Sequence, residues 1–174
     1  MKRLIIVLIG ICLMFLSGCG IYNLSFFTIP DDTKFLETIE KLSTPLEISD
    51  YMMRNFTYEL HSLYAPDPYT LWLTKKGDCN DFSSFSTWIA NYHGYETFTI
   101  QIFDGSFFSH IIAVYNEDIW LSFTDNQYYY FGFDNFQEIV EYDWYLQYKI
   151  WTKFVVRDYW NNIVEEVFNH KRGK

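Results

Sequence analysis

Residues 76–94 read KGDCNDFSSFSTWIANYHG. Phe82, Phe85, Ile89 and Tyr92 recur at helical spacing, and His93-Gly94 supplies a C-terminal stop, so the sequence predicts a buried central helix from Cys79 to about Tyr92. Gly77 ends whatever precedes it. Asp78 stands just before the first helical residue and Asp81 lies in the first turn, so both can cap free N–H groups and set Cys79 at the positive end of the helix. A helix N-terminus favours a thiolate, while two nearby carboxylates oppose it. A thiolate there therefore needs a neighbouring imidazolium.

Downstream of the helix, residues 96–103, 107–115 and 119–123 are β-branched or aromatic runs separated by Asp104-Gly105-Ser106 and Asn116-Glu117-Asp118. They predict an antiparallel meander, to which residues 128–133 add a strand. Residues 135–142 suit a short helix, and the Trp- and Tyr-rich stretch 144–168 fits strand or helix equally. Upstream, Asp31, Asp32 and Thr33 can cap a helix through Leu42. Thr44-Pro45-Leu46-Glu47 then offers an N-cap, a proline at N1 and a glutamate at N3 for a second helix to about Asn55. Ala65-Pro66-Asp67-Pro68 breaks the chain before one or two helical turns over 69–75.

The first residues are of another kind. Lys2 and Arg3 precede an apolar run from Leu4 to Leu16 that is short for a membrane span, and Ser17-Gly18-Cys19 follow. This reads as an export signal over 1–18. Leu16-Ser17-Gly18-Cys19 resembles a bacterial lipobox, which implies lipid on Cys19, a short anchor and tether over 19–33, and one domain over 34–174, outside the cytoplasm at the cell membrane. Acyl chains rather than charge would hold it there. The whole chain has 174 residues, 49% of them apolar and 20% charged, with a formal charge of −9. Those proportions give one globular core and exclude disorder. The acidity and the lack of a basic stripe beyond Lys171, Arg172 and Lys174 exclude nucleic acid as a partner.

Of the three cysteines, Cys12 leaves with the signal and Cys19 carries lipid, so Cys79 is the one free thiol of the domain. A lone thiol in an oxidising compartment is either buried as a small hydrophobe or used as a nucleophile. His110 lies mid-strand among Ile111, Ile112 and Val114, where an imidazole without a polar partner would be costly. Asp125 follows the next strand. A hairpin turning near residues 116–118 brings His110 and Asp125 onto adjacent strands, so Cys79, His110 and Asp125 can converge.

Gly77-Asp78-Cys79-Asn80-Asp81-Phe82, His93-Gly94-Tyr95, His110-Ile111-Ile112-Ala113-Val114-Tyr115, Trp120 and Asp125 together resemble the transglutaminase-like superfamily of papain-fold cysteine enzymes. The resemblance spans about residues 45–130 and includes a tyrosine before the helix, here Tyr58. It implies an α+β fold of the papain-like, transglutaminase-core type, with the cysteine-bearing helix packed on an antiparallel sheet. It also implies that Cys79 attacks an amide carbonyl, that His110 acts as base and acid, and that Asp125 fixes the imidazole tautomer. The product is a thioester, resolved by water in a peptidase or amidase and by an amine in a transglutaminase. The oxyanion would meet the Cys79 backbone N–H, with Tyr58 or Trp72 as a second donor. No metal or other cofactor is required.

The expected function is thus an exported, lipid-anchored cysteine amidase, peptidase or transglutaminase acting on envelope proteins or peptides. Oligomeric state stays open. Each feature also has a plainer reading: Cys79 as a structural thiol, His110 as a satisfied core histidine, Asp125 as a turn residue. His61, His93 and His170 show no ligand spacing and read as surface or capping residues. The alternative class is a non-catalytic surface module with a degenerate transglutaminase-like fold and an aromatic cleft. Papain-fold cell-wall endopeptidases share a cysteine at a helix start, but that family usually has a second histidine after the catalytic one. No histidine lies between 110 and 170 here.

Overall fold

The structure, a computed structural model, describes residues 27–60, 67–106, 109–125, 127–147 and 149–169. The expected signal, Cys19, most of the tether, His61, His170 and the basic tail lie outside the described residues. Two helices open the chain, α1 over Thr33–Lys41 and α2 over Pro45–Asn55. Asp32 caps the first through the N–H groups of Lys34 and Phe35. Thr44 and Glu47 cap the second reciprocally, each side chain taking the other's N–H, with Pro45 at N1 where no donor is lost. Helix α3, Pro68–Thr74, ends at Lys75, whose backbone enters the left-handed region at φ 59°. Its ammonium lies 4.4 Å from the Trp72 ring centre and 2.9 Å from the Tyr51 hydroxyl. Burial depresses that ammonium to about 8. Two-residue strands β1 (Thr57–Tyr58) and β2 (Lys76–Gly77) pair in parallel just before the central helix.

That helix, α4, spans Cys79–Tyr92 and is buried along most of its length. Its serines and threonines are what allow this. Ser83 donates back to the Asn80 carbonyl at 3.0 Å and Thr87 to that of Ser83 at 2.9 Å, while Ser86 meets the Tyr115 hydroxyl. The hydroxyls are thereby satisfied without water, and their small size lets the helix lie close to the sheet. Gly94, at φ 92°, terminates α4: its N–H reaches the Asn91 carbonyl and that of Tyr95 reaches Ala90, a double closure that needs a left-handed residue.

Six antiparallel strands follow in the spatial order β6-β5-β4-β3-β7-β8. They are β3 (Glu96–Phe103), β4 (Ser109–Asn116), β5 (Leu121–Asp125), β6 (Gln127–Phe133), β7 (Lys153–Asp158) and β8 (Ile163–Phe168), with α5 (Phe136–Leu146) between β6 and β7. The stretch that fits strand or helix in sequence is therefore divided: its start closes α5 and the rest forms a hairpin laid against β3. The expected meander is extended on its far side.

The sheet is buried on both faces, which explains why β4 is a continuous apolar run rather than an alternating one. Ala113 and Tyr115 pack with Phe35, Ile39, Ile48, Phe85 and Ile89 of the helical layer. Ile112 and Val114 pack with Phe123, Ile139, Val140 and Trp144 under α5. Phe27, ahead of α1, stands edge-on to Trp88 with ring centres 5.1 Å apart. Among the described residues no helix is long and apolar enough to cross a membrane.

Gly77 is fixed by space rather than by dihedral angle. A Cβ there would lie 2.5 Å from Asp81 Oδ2 and 2.9 Å from Leu71 Cδ1, both fully or almost fully buried. Gly77→Ala should lower unfolding free energy by roughly 1–3 kcal/mol, because neither neighbour can retreat. Urea denaturation measures this; an unchanged midpoint would show that the approach is soft.

Candidate functional site

The start of α4 carries two interlocked carboxylates. Asp78 Oδ1 accepts from the N–H of Asn80 at 2.9 Å and from that of Asp81 at 3.4 Å, and Asp81 Oδ2 accepts from the Asp78 N–H at 2.7 Å. The donors at the N-cap, N2 and N3 are thus taken. Cys79 at N1 keeps its own N–H for something else.

His110 and Asp125 come from neighbouring strands. The register that sets Ala113 opposite Thr124 carries both side chains to the face covered by α5, one step apart along the sheet. The His110 ring meets Asp125 Oδ1 through Nε2 at 3.0 Å, and Cys79 lines the same cleft, near enough to favour the charged ring. With Nε2 directed at the carboxylate, Nδ1 is the ring nitrogen left for sulfur. The structure therefore brings Cys79, His110 and Asp125 together at one end of the sheet. Around them lies a cleft of about 560 Å³ whose wall includes Met52, Met53, Phe56, Tyr58, Phe82 and Gln147. That volume is in the range of small-ligand sites.

Tyr58 stands in this wall, half exposed. Burial and the surrounding Cys79, Asp78 and Asp125 charges raise its phenol above the ordinary value, so it remains a neutral donor at the mouth of the cleft. Trp72 is elsewhere. Its ring stacks on Tyr69 and packs against Phe35 in the helical layer, away from the cleft wall, because the short helix α3 turns that face toward α1. His93 caps α4 from the C-terminal side and reaches the Ile39 carbonyl with Nε2 at 2.8 Å.

Sequence reading missed two members of the cluster, both on α5. Asp143 is completely buried, and Gln147 one turn later donates to Asp143 Oδ2 at 3.1 Å and to Asp125 Oδ2 at 3.3 Å. The only signal was an acidic residue within an apolar helix face, Asp143 beside Tyr142 and Trp144. One ligand atom each from His110, Asp125 and Asp143 lie within 4.8 Å of one another, a spacing that could suit a cation. Asp125 Oδ1 already meets the His110 ring, and Asp125 Oδ2 and Asp143 Oδ2 accept from the Gln147 amide.

The electrostatics of the three groups are linked. Burial opposes a charge on His110, but the hydrogen bonds and charges of Asp125 and Cys79 outweigh it and hold the imidazolium up to about 10. Burial likewise opposes ionisation of Asp125, and the His110 partnership overrides it, leaving Asp125 below its usual value. For Asp143 the His110 charge offsets only part of the opposing effects. Burial first, and then the Asp125 charge, push it up to about 7. Two ionised carboxylates this close repel by about 3 kcal/mol at an effective dielectric of about 20, against roughly 4 kcal/mol to protonate an ordinary carboxylate at pH 7. Burial tips that near-balance toward one proton on the pair.

A histidine held at about 10 when folded and near 6.5 when unfolded binds an extra proton in the native state between those values. Its contribution to stability is complete below pH 6.5 and is lost as pH rises through about 10. Denaturation of the protein and its His110→Gln variant at pH 6, 8 and 10 should show their stability difference shrinking across that window; a constant difference would contradict the pairing.

No family model matches the chain, and no curated protein matches it. Among solved structures, Legionella pneumophila LapG is similar with a TM-score of 0.43 at 13% identity, over 54% of this chain and 61% of that one. The chain spans less than two thirds of LapG's length.

Proposed function

We propose that this chain is a cysteine amidase, peptidase or acyltransferase of the transglutaminase-like type, exported and held at the bacterial cell membrane by lipid on Cys19. The observation that carries the chemistry is one side-chain chain, Cys79 to His110 to Asp125, opening into a cleft from the N1 position of a helix. Proteins or peptides of the envelope are the substrates that this reading favours.

The Cys79 thiolate, paired with the His110 imidazolium, attacks the carbonyl carbon of an amide. The developing oxyanion accepts from the N–H of Cys79 and from the Tyr58 hydroxyl, which reaches it from the cleft wall. His110 then gives its Nδ1 proton to the departing nitrogen, the C–N bond breaks, and a thioester remains on Cys79. Water or an amine, deprotonated by the now neutral imidazole, adds to that thioester and expels the thiolate. Asp125 keeps the ring oriented throughout and balances its positive charge.

The test uses the purified protein and iodoacetamide, with modification read by peptide mass spectrometry. Cys79 should alkylate rapidly at neutral pH and at least about tenfold more slowly in His110→Ala, and Cys79→Ala should abolish peptide release from purified envelope material. A Cys79 inert at every pH, or indifferent to His110, would sink the enzyme reading in favour of a binding module. For the anchor, Cys19→Ser should move the protein from the membrane fraction to the soluble one in a bacterial host. Retention at the membrane would exclude the lipid.

A further inference from the structure

Helix α5 supplies neither the thiol nor the imidazole, yet it buries a carboxyl close to Asp125. Asp143 is 0% exposed, and its Oδ1 is buried without accepting a hydrogen bond, as expected for an oxygen of a protonated acid rather than of a carboxylate. An oxygen of its carboxyl lies within 4.8 Å of one of Asp125, and Gln147 Nε2 donates to both groups. Asp125 thus has three neighbours from two elements: the His110 ring from β4, and the Gln147 amide and Asp143 carboxyl at the C-terminal end of α5.

We propose that Asp143 is a positioning residue which, while protonated, donates to Asp125 and clamps it against His110, and which releases that clamp on losing its proton. The inference rests on the Cys79–His110–Asp125 reading of the site and gives it a pH-dependent control. The groups facing Asp143 are His110 on β4, Asp125 on β5, Tyr129 on β6 and Gln147 on its own helix. None of them is a fixed cation. An ionised Asp143 therefore meets the Asp125 carboxylate with only the His110 charge, already shared, to offset it. Its raised value, about 7, puts the change near neutrality.

Asp143→Asn separates this from a merely structural role, because the amide is nearly the same size and donates to Asp125 at every pH. Two readouts serve: the His110 ring followed by imidazole ¹H–¹⁵N NMR, and the rate of Cys79 alkylation, each from pH 5.5 to 9. In the parent protein both should show a step near pH 7, the alkylation rate falling by about threefold or more above it. Asp143→Asn should abolish the step and keep the low-pH behaviour. Asp143→Ala should slow alkylation about tenfold or more at all pH values, as loss of an orienting partner does elsewhere. If the step persists in Asp143→Asn, or the parent shows none, the clamp is overturned. Should the alanine variant fail to fold, the asparagine comparison alone decides. If Cys79 proves inert, the enzyme reading fails, while the NMR step still reports separately on whether Asp143 acts on His110.

Discussion

The reciprocal cap at the start of α4 is the constraint on which the site depends. Asp81 must curl back to the Asp78 N–H at 2.7 Å, and it can do so only because residue 77 has no side chain. The cap fixes where Cys79 stands, and the sheet sets the His110 imidazole in the same cleft. Fold and chemistry are thus joined at one residue pair: loosening the cap would free the thiol's backbone and misplace it against His110.

Charge is arranged by layer. The groups that act on His110 come from two layers, Asp125 from β5 of the sheet and Cys79 from the start of α4. Together they outweigh the cost of burial and hold the imidazolium up to about 10. The apolar cleft wall complements this by keeping water from screening the pair. Met52 and Met53 make that wall adaptable in shape.

Much of this could be read in the sequence because the strongest signals are local. The capped α4, its Gly94 stop, the Thr44–Glu47 capping box and the β3–β4 pair all follow from residue types at fixed short spacings. The convergence of Cys79, His110 and Asp125 was legible because a hairpin fixes which strand neighbours which. What local pattern could not supply was β7. Residues 144–168 contain aromatics that pack as well on a helix as on a strand, and only the open edge of β3 decides between them. Asp143 was hidden for a related reason: its burial depends on α5 lying across the sheet, a tertiary fact with no periodic signature. Trp72 shows the reverse error, since nearness in sequence to Cys79 says little about the direction in which a seven-residue helix turns its faces.

The place of β7 has a consequence for how the molecule comes into being. β3 pairs with β4, which follows it at once, but its other edge waits for residues 153–158, near the end of the described chain. Until they arrive, the middle of the future sheet is an unprotected border of free N–H and C=O groups, flanked by some of the most apolar residues in the protein. Swift closure by the last hairpin, or a chaperone holding the border meanwhile, then governs how much of the protein escapes self-association.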